Sequence, residues 1–314
     1  MKILVCPLNW GLGHATRCIP IIQKLLAEKN EVIIAANGFP LQLLRQEIPS
    51  LRWIEFPSYK VQYSSKNSQI ATILKWLPFI LYGIVKEHYW LKKIIAQEHF
   101  DKVISDNRFG LWNRKIHSIY ITHQLMIKMP RNNKMLEWIA WKLHRFIIQN
   151  YNECWIPDTE NAPGLSGDLA HKYPLPNNAK FIGPISRFQN LPYIPSQKKF
   201  EVVVIVSGLE PQRTLFEQKM IQLHKKNPYQ TLIIQGQPQQ KITTQKIGNI
   251  TLISHLPAIE MASLLKNADK IFARSGYSTI MDLFTLNCLS KAVFFPTPGQ
   301  TEQIYLSEIH STNT

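Results

Sequence analysis

Short runs of consecutive apolar, often β-branched residues alternate along this chain with longer stretches whose apolar positions recur every three to four residues. In the first half, residues 2–6, 31–36, 51–56, 102–105 and 118–122 read as strands, and 16–28, 41–46, 69–97 and 135–150 as helices. The second half repeats the alternation. Strands are expected at 202–206, 231–235, 250–253, 270–273 and 292–295, with helices at 212–225, 258–267 and 277–286. Strands alternating with helices imply βαβ units, parallel sheets and helices on both faces. Between the halves lies a loop-rich stretch with Pro157, Pro163, Pro174, Pro176, Pro184, Pro192 and Pro195. Two doubly wound α/β domains are therefore expected, divided at 155/156: residues 1–155 and residues 156–314.

The chain has 314 residues, 45% of them apolar and 18% charged, so a sizeable core can form and wholesale disorder is excluded. Its formal net charge is +15, and +12 of that lies in residues 1–150. The first half is expected to meet something anionic. The basic residues are not organised into any nucleic-acid-binding module, so a phosphate or an acidic membrane surface fits better. Cys6, Cys18, Cys154 and Cys288 are scattered without a CxxC pair, which argues against a disulfide scaffold and a cysteine-rich zinc site and favours a reducing compartment. No secretory signal is read, and no apolar stretch reaches the ~18–20 residues of a membrane span. The expected location is cytoplasmic. Segment 69–97, rich in leucine, isoleucine and aromatics such as Trp76, Phe79 and Leu81 and broken by Lys75, Lys86, Lys92 and Lys93, is either a buried helix pair or a surface lying on anionic lipid.

Ligands of doubly wound sheets bind at the carboxyl ends of strands, so chemistry is sought there. The first strand runs into Gly11-Leu12-Gly13-His14, with Arg17 one turn into the next helix. Thr16 stands where a dinucleotide fingerprint needs a third glycine, and no acidic residue ends the second strand, which disfavours a dehydrogenase. Asp106 ends the 102–105 strand and His123 follows the 118–122 strand, on the same rim. In the second half, Ser207-Gly208 leads to Arg213 at a helix start. Arg274-Ser275-Gly276-Tyr277-Ser278-Thr279, then Asp282, forms a second strand-to-helix turn suited to holding a diphosphate on a helix dipole. Gln300, Glu302 and Gln303 follow the last strand. No Asp-x-Asp and no His/Asp cluster at ligand spacing is present, so no metal site is expected.

Gly11-Leu12-Gly13-His14 with Arg17, together with Ala268-Asp269, Arg274 to Thr279, Asp282, Pro296, Gln300 and Glu302-Gln303, resembles the family 28 glycosyltransferases of GT-B fold. Their best-known member adds N-acetylglucosamine to the peptidoglycan lipid precursor. The resemblance implies two Rossmann-like domains facing across a cleft, and an inverting, metal-independent transfer without any cofactor. The donor would be a UDP-sugar such as UDP-N-acetylglucosamine and the acceptor a lipid-linked or other glycan. It places the diphosphate near Ser207, Gly208 and Arg213 and on the Arg274, Ser275, Gly276, Ser278 and Thr279 turn. The base would lie by His255-Leu256, the ribose by Asp282, and the diphosphate or sugar by Gln300, Glu302 and Gln303. Gly11, Gly13, Arg17 and His123 would lie on the acceptor side, with His14 and Asp106 as the catalytic pair. Chains of this family continue further, so the C-terminal domain reads as truncated. The alternatives are a catalytically weak nucleotide-sugar-binding remnant and a non-transferring GT-B enzyme such as a nucleotide-sugar epimerase.

Overall fold

The structure, a computed structural model, describes residues 1–56, 69–130, 133–192, 200–238 and 241–311, without the side chains of 69–77 and 80. Pro195 and Trp76 of the sequence reading lie outside what is described.

The first sheet is formed by β1 (Lys2–Pro7), β2 (Glu31–Ala36), β3 (Arg52–Glu55), β4 (Lys102–Asp106), β5 (His117–Ile121), β6 (Glu153–Ile156) and β7 (Ala179–Phe181). Its order is β3-β2-β1-β4-β5-β6-β7, every neighbouring pair parallel. Such strands bury both faces, which is why they read as unbroken apolar runs. Ile3 and Val5 pack under α1 (Gly13–Ala27) and α2 (Gly38–Glu47), while Leu4 and Cys6 pack under α3 (Gln69–Gln97). Helix α4 (Lys134–Ile148) covers Tyr120 and Cys154. The register pairs Cys6 with Ser105 and Ser105 with Tyr120, so α3 and α4 share one face of the sheet.

The second sheet has the order β10-β11-β9-β8-β12-β13, from β8 (Val202–Ile205), β9 (Thr231–Ile234), β10 (Thr244–Ile247), β11 (Ile250–Ile253), β12 (Lys270–Ala273) and β13 (Ala292–Phe294). Only β10–β11 is antiparallel among its described pairs. It is flanked by α6 (Gln212–His224), α7 (Ala258–Asn267), α8 (Tyr277–Thr285) and α9 (Thr301–His310).

The expected division at 155/156 cuts through β6, so it is corrected: the first sheet runs on to Phe181. The proline-rich stretch follows β6 and holds the short α5 (Asp168–His171) and β7 rather than loop alone. It also stitches the halves together. Ile185 packs into the first core, whereas Leu165, Leu169 and Phe188 pack into the second. Strand order reverses at β1/β4 in one sheet and at β8/β12 in the other, and ligands of open α/β sheets sit at such points.

Candidate active site

Asp106 ends β4 opposite Pro7 of β1 and is fully buried. Arg17, 1% exposed, grips it from α1: Nε donates to Oδ2 at 2.6 Å, and Nη2 donates to Oδ1. His14, one turn earlier on the same helix, brings Nδ1 to 3.0 Å from Oδ1. Nδ1 and Arg17 Nη2 are 2.9 Å apart. The ionised carboxylate can only accept, so Asp106 Oδ1 takes both the Arg17 Nη2–H and the His14 Nδ1–H. The consistent assignment is therefore Nδ1–H donating to Asp106, which leaves the lone pair on Nε2. Burial lowers the His14 pKa below its ordinary value; Asp106 opposes this and Arg17 adds to it, so the ring is neutral at neutral pH. Burial would raise the Asp106 carboxyl, but the charge of Arg17 and the hydrogen bonds from Arg17 and His14 outweigh it and hold Asp106 well below the usual carboxylate range. Asp106 is thus an ionised anchor, and His14 is the group able to take a proton.

The loop carrying Asp106 is braced from behind. Ser105 Oγ and Tyr151 Oη donate to the Arg108 carbonyl at 2.7 and 2.6 Å. The buried Arg108 guanidinium reaches the Pro7 carbonyl (2.9 Å) and Glu87 (2.8 Å), and Glu87 also accepts from Gly110 N. Asn107 takes a left-handed φ of 56°, and its side chain accepts from Tyr120 Oη at 2.9 Å.

Arg17 also points Nη1 at His123 Nδ1, 3.2 Å away. His123 stacks flat on Tyr277 of α8, with ring centroids 4.1 Å apart, and its Nε2 is 2.9 Å from Glu302 Oε1 of α9. The polar chain Glu302–His123–Arg17–Asp106–His14 thus crosses from the second domain to the first. Nearby, Ser278 Oγ donates to the Gly13 carbonyl at 3.1 Å. A Cβ on Gly13 would sit 2.8 Å from that hydroxyl, so only glycine lets α1 and α8 approach this closely.

Between the sheets lies a cleft walled by Gly13 and Thr16 from the first domain and by Ser207, His255, Ser278, Thr279 and Asp282 from the second. The N-termini of α1 and α8 open here, and neither has a side-chain cap nor an acidic residue in its first turn. Asp282 accepts from Ser186 Oγ at 2.5 Å, and burial raises it to about 6 against the pull of Arg187 and Ser186. Arg187, 7% exposed, reaches Glu47 of α2 at 3.4 Å and the Met261 sulfur at 2.9 Å, while its buried Nε has no hydrogen-bond partner. His255 is lowered to about 4, first by burial and then by Arg187.

No protein-family model matches the chain. A protein of Methanosarcina acetivorans named as an uncharacterized glycosyltransferase is 22% identical over 334 residues, covering 96% of this chain and 81% of that one. The spinosyn rhamnosyltransferase SpnG, solved with thymidine diphosphate, aligns with a TM-score of 0.60 at 12% identity over 98% of this chain and 84% of its own. The Neisseria meningitidis UDP-GlcNAc 2-epimerase, solved with UDP-GlcNAc, aligns at 0.55 and 12% identity over 98% and 91%. The fold is GT-B.

Within that GT-B frame, the structure gathers His14, Arg17, Asp106, His123 and Glu302 into one chain, and Gly13, Ser207, His255, Ser278, Thr279 and Asp282 around one cleft. Glu302, expected beside the donor, bonds His123 instead. Gly11 and Gly208 take φ of 96° and 109° in open loops, Gly276 precedes α8, and Gln300 precedes α9. Other residues named for the donor have partners inside their own domain. Arg213 is spent inside its own domain, on Glu210 (2.6 Å), Glu217 (2.9 Å), the Gln235 carbonyl (3.1 Å) and Thr214 (2.9 Å). Arg274 ties the carbonyls of Phe295, Pro296 and Gln212 together and lies over the Phe216 ring. Ser275 Oγ donates to the Gln303 carbonyl, and the Gln303 side chain accepts from Thr297 N, so both fix the loop before α9. Leu256 is core. The sequence reading missed Arg187; its only signal was its place in Gly183-Pro184-Ile185-Ser186-Arg187, after β7.

Proposed function

We propose that this chain is an inverting glycosyltransferase of the family 28 type, moving a sugar from a nucleotide-sugar donor, with UDP the expected nucleotide, to a lipid-linked or other glycan acceptor. One observation carries the reading: a neutral His14, oriented by a buried Asp106, follows directly on Gly13 of the wall of a cleft where two uncapped helix N-termini meet. Its Nε2 lone pair accepts the proton of the acceptor hydroxyl as that oxygen attacks the anomeric carbon. The new C–O bond forms on the face opposite the breaking bond to the diphosphate, which inverts the centre. Asp106 then stabilises the imidazolium. The departing diphosphate meets the N-terminus of α8 and the positive charge of Arg187, whose buried Nε is unpaired. His255 and Asp282 would lie toward the base and ribose. Isothermal calorimetry with UDP and with TDP, with and without chelator, tests donor binding. Affinity lost with chelator refutes the metal-independent part, and product of retained anomeric configuration by NMR refutes the displacement.

The acceptor reading extends to a membrane surface. Among the described residues no helix is long and apolar enough to cross a membrane. On α4, Met135, Trp138, Ile139, Leu143 and Phe146 recur on one exposed stripe, beside Phe79, Leu81, Tyr82, Val85 and Tyr89 of α3. Lys86, Lys92, Lys93, Lys134 and Lys142 are exposed on the same two helices, while Glu87 and Glu137 are buried. A cationic rim around an apolar stripe suits the anionic headgroups of the cytoplasmic leaflet. Sedimentation with anionic vesicles should fall with salt and with Leu143→Ser/Phe146→Ser in a folded protein. Protein that stays in the supernatant at low salt refutes membrane docking.

A further inference from the structure

His123 is held from three elements at once: Arg17 of α1 at Nδ1, Glu302 of α9 at Nε2, and the Tyr277 ring of α8 across its face. Asp106 and His14 lie just beyond Arg17. The tautomer follows from the partners. A guanidinium only donates, so Nδ1 must carry a lone pair, and the proton must sit on Nε2, where Glu302 accepts it. Glu302 reaches His123 only because α9 is docked on the first domain. There Thr301 Oγ1 donates to the Lys128 carbonyl at 2.6 Å, and Tyr305 Oη accepts from Asp168 N at the start of α5 at 2.7 Å.

We propose that Glu302 and His123 form an interdomain positioning relay, which sets Arg17 and Asp106, and through them His14, only when α9 of the donor domain is docked. This rests on His14 being the base of the proposed transfer. With Glu302 withdrawn, the Nε2–H form of His123 loses its acceptor and is held by the Arg17 donor alone. A proton on Nδ1, in the other tautomer or in the imidazolium, then faces the Arg17 donor. Arg17 moves off, Asp106 is left to His14 alone, and the histidine holds a proton more readily. The base is thereby competent in the closed arrangement and dulled in the open one. Glu302 and His123 are positioning residues in this scheme, with no contact to the reacting atoms.

Long-range 1H–15N NMR of imidazole-labelled protein reads the relay without any substrate. In the parent protein His123 should be the Nε2–H tautomer, and His14 should titrate below its ordinary value. Glu302→Gln, whose carbonyl oxygen still accepts from Nε2–H, should keep the His123 tautomer and, having lost the charge that couples Glu302 to His14, is the reference against which the His14 midpoint of Glu302→Ala is read. Glu302→Ala should mix the His123 tautomers and raise the His14 midpoint. In turnover, Glu302→Ala and His123→Phe (which keeps the stack on Tyr277) should each lower kcat about tenfold or more, with donor affinity unchanged, and the double variant should be no worse than either. If Glu302→Ala leaves the His14 titration unmoved and weakens donor binding, Glu302 is a donor contact and the relay is overturned. Additive losses in the double variant also overturn it. Should no donor be turned over, the proposed activity fails while the NMR titration still decides the relay.

Discussion

Asp106→Asn separates an orienting carboxylate from a structural one. The substitution keeps the shape but removes the charge that Arg17, 1% exposed, depends on, and it offers one acceptor oxygen where two now serve Arg17, His14 and Cys18. An uncompensated buried guanidinium costs about 3–5 kcal/mol. At roughly 2–4 °C per kcal/mol for a chain of this size, the melting temperature should fall by about 6–20 °C. The amide can also donate to His14 Nδ1, which moves the proton to Nε2 and blocks it as a base. Turnover should then fall about 10²–10⁴-fold, the span of a lost general base, with nucleotide affinity held because Asp106 lies behind the cleft wall. The assays are thermal unfolding at pH 7.5 and nucleotide release from a panel of nucleotide sugars, under conditions where the variant is folded. A variant that retains turnover within about threefold of the parent, the melting point having dropped as expected, refutes the orienting role. An unchanged melting point refutes the buried ion pair itself.

Arg213→Ala should lower stability by roughly 1–3 kcal/mol, since it strips charged hydrogen bonds from Glu210 and Glu217, and should leave UDP affinity unaltered by calorimetry; weaker binding at equal stability would return Arg213 to the donor site. Stability should also fall with pH. His144 and His255 are buried and lowered to about 4, so the unfolded chain takes up two protons near pH 6.5 that the folded chain refuses. Asp282, raised to about 6, works the other way, because the folded state gains its proton first. The net over these three groups is one proton between pH 6 and 4, a loss approaching about 1.4 kcal/mol per pH unit, and the lowered His14 and His224 act in the same direction. Urea titrations at pH 7 and 5 check it, and equal or greater stability at pH 5 contradicts the assignment.

The sheets were legible where strands are buried on both faces, because a parallel strand such as β1 or β8 must be apolar throughout. The strands that escaped notice are those for which this does not hold. β10 is an exposed antiparallel edge with the sequence Thr-Gln-Lys-Ile, β7 is three residues long, and β6 is four residues with Glu153 and Trp155 only half-buried, so none leaves a run to read. α9 begins in a polar turn and buries little beyond Leu306 and Ser307, which kept it hidden. The rim residues His14, Asp106 and His123 were found because the strand-end rule depends only on strand order. Their pairing was not, since Arg17 and Asp106 are 89 positions apart and His123 and Glu302 are 179.

The arginines mark the limit of such reading. Arg187, Arg213 and Arg274 all follow strand ends and could each be written as a phosphate ligand. What separates them is where their donors go. Arg213 spends its donors on carboxylates, a carbonyl and a hydroxyl, and Arg274 gives its terminal nitrogens to three carbonyls and leaves Nε buried. Arg187 alone of the three lines the cleft, with Nε unpaired and a sulfur and a distant carboxylate on its terminal nitrogens. A buried cation so weakly satisfied is costly in the free protein, and a diphosphate in the cleft would relieve that cost. A sequence records the charge of an arginine, but its availability to a ligand is fixed by carbonyls and carboxylates that only the fold brings to it.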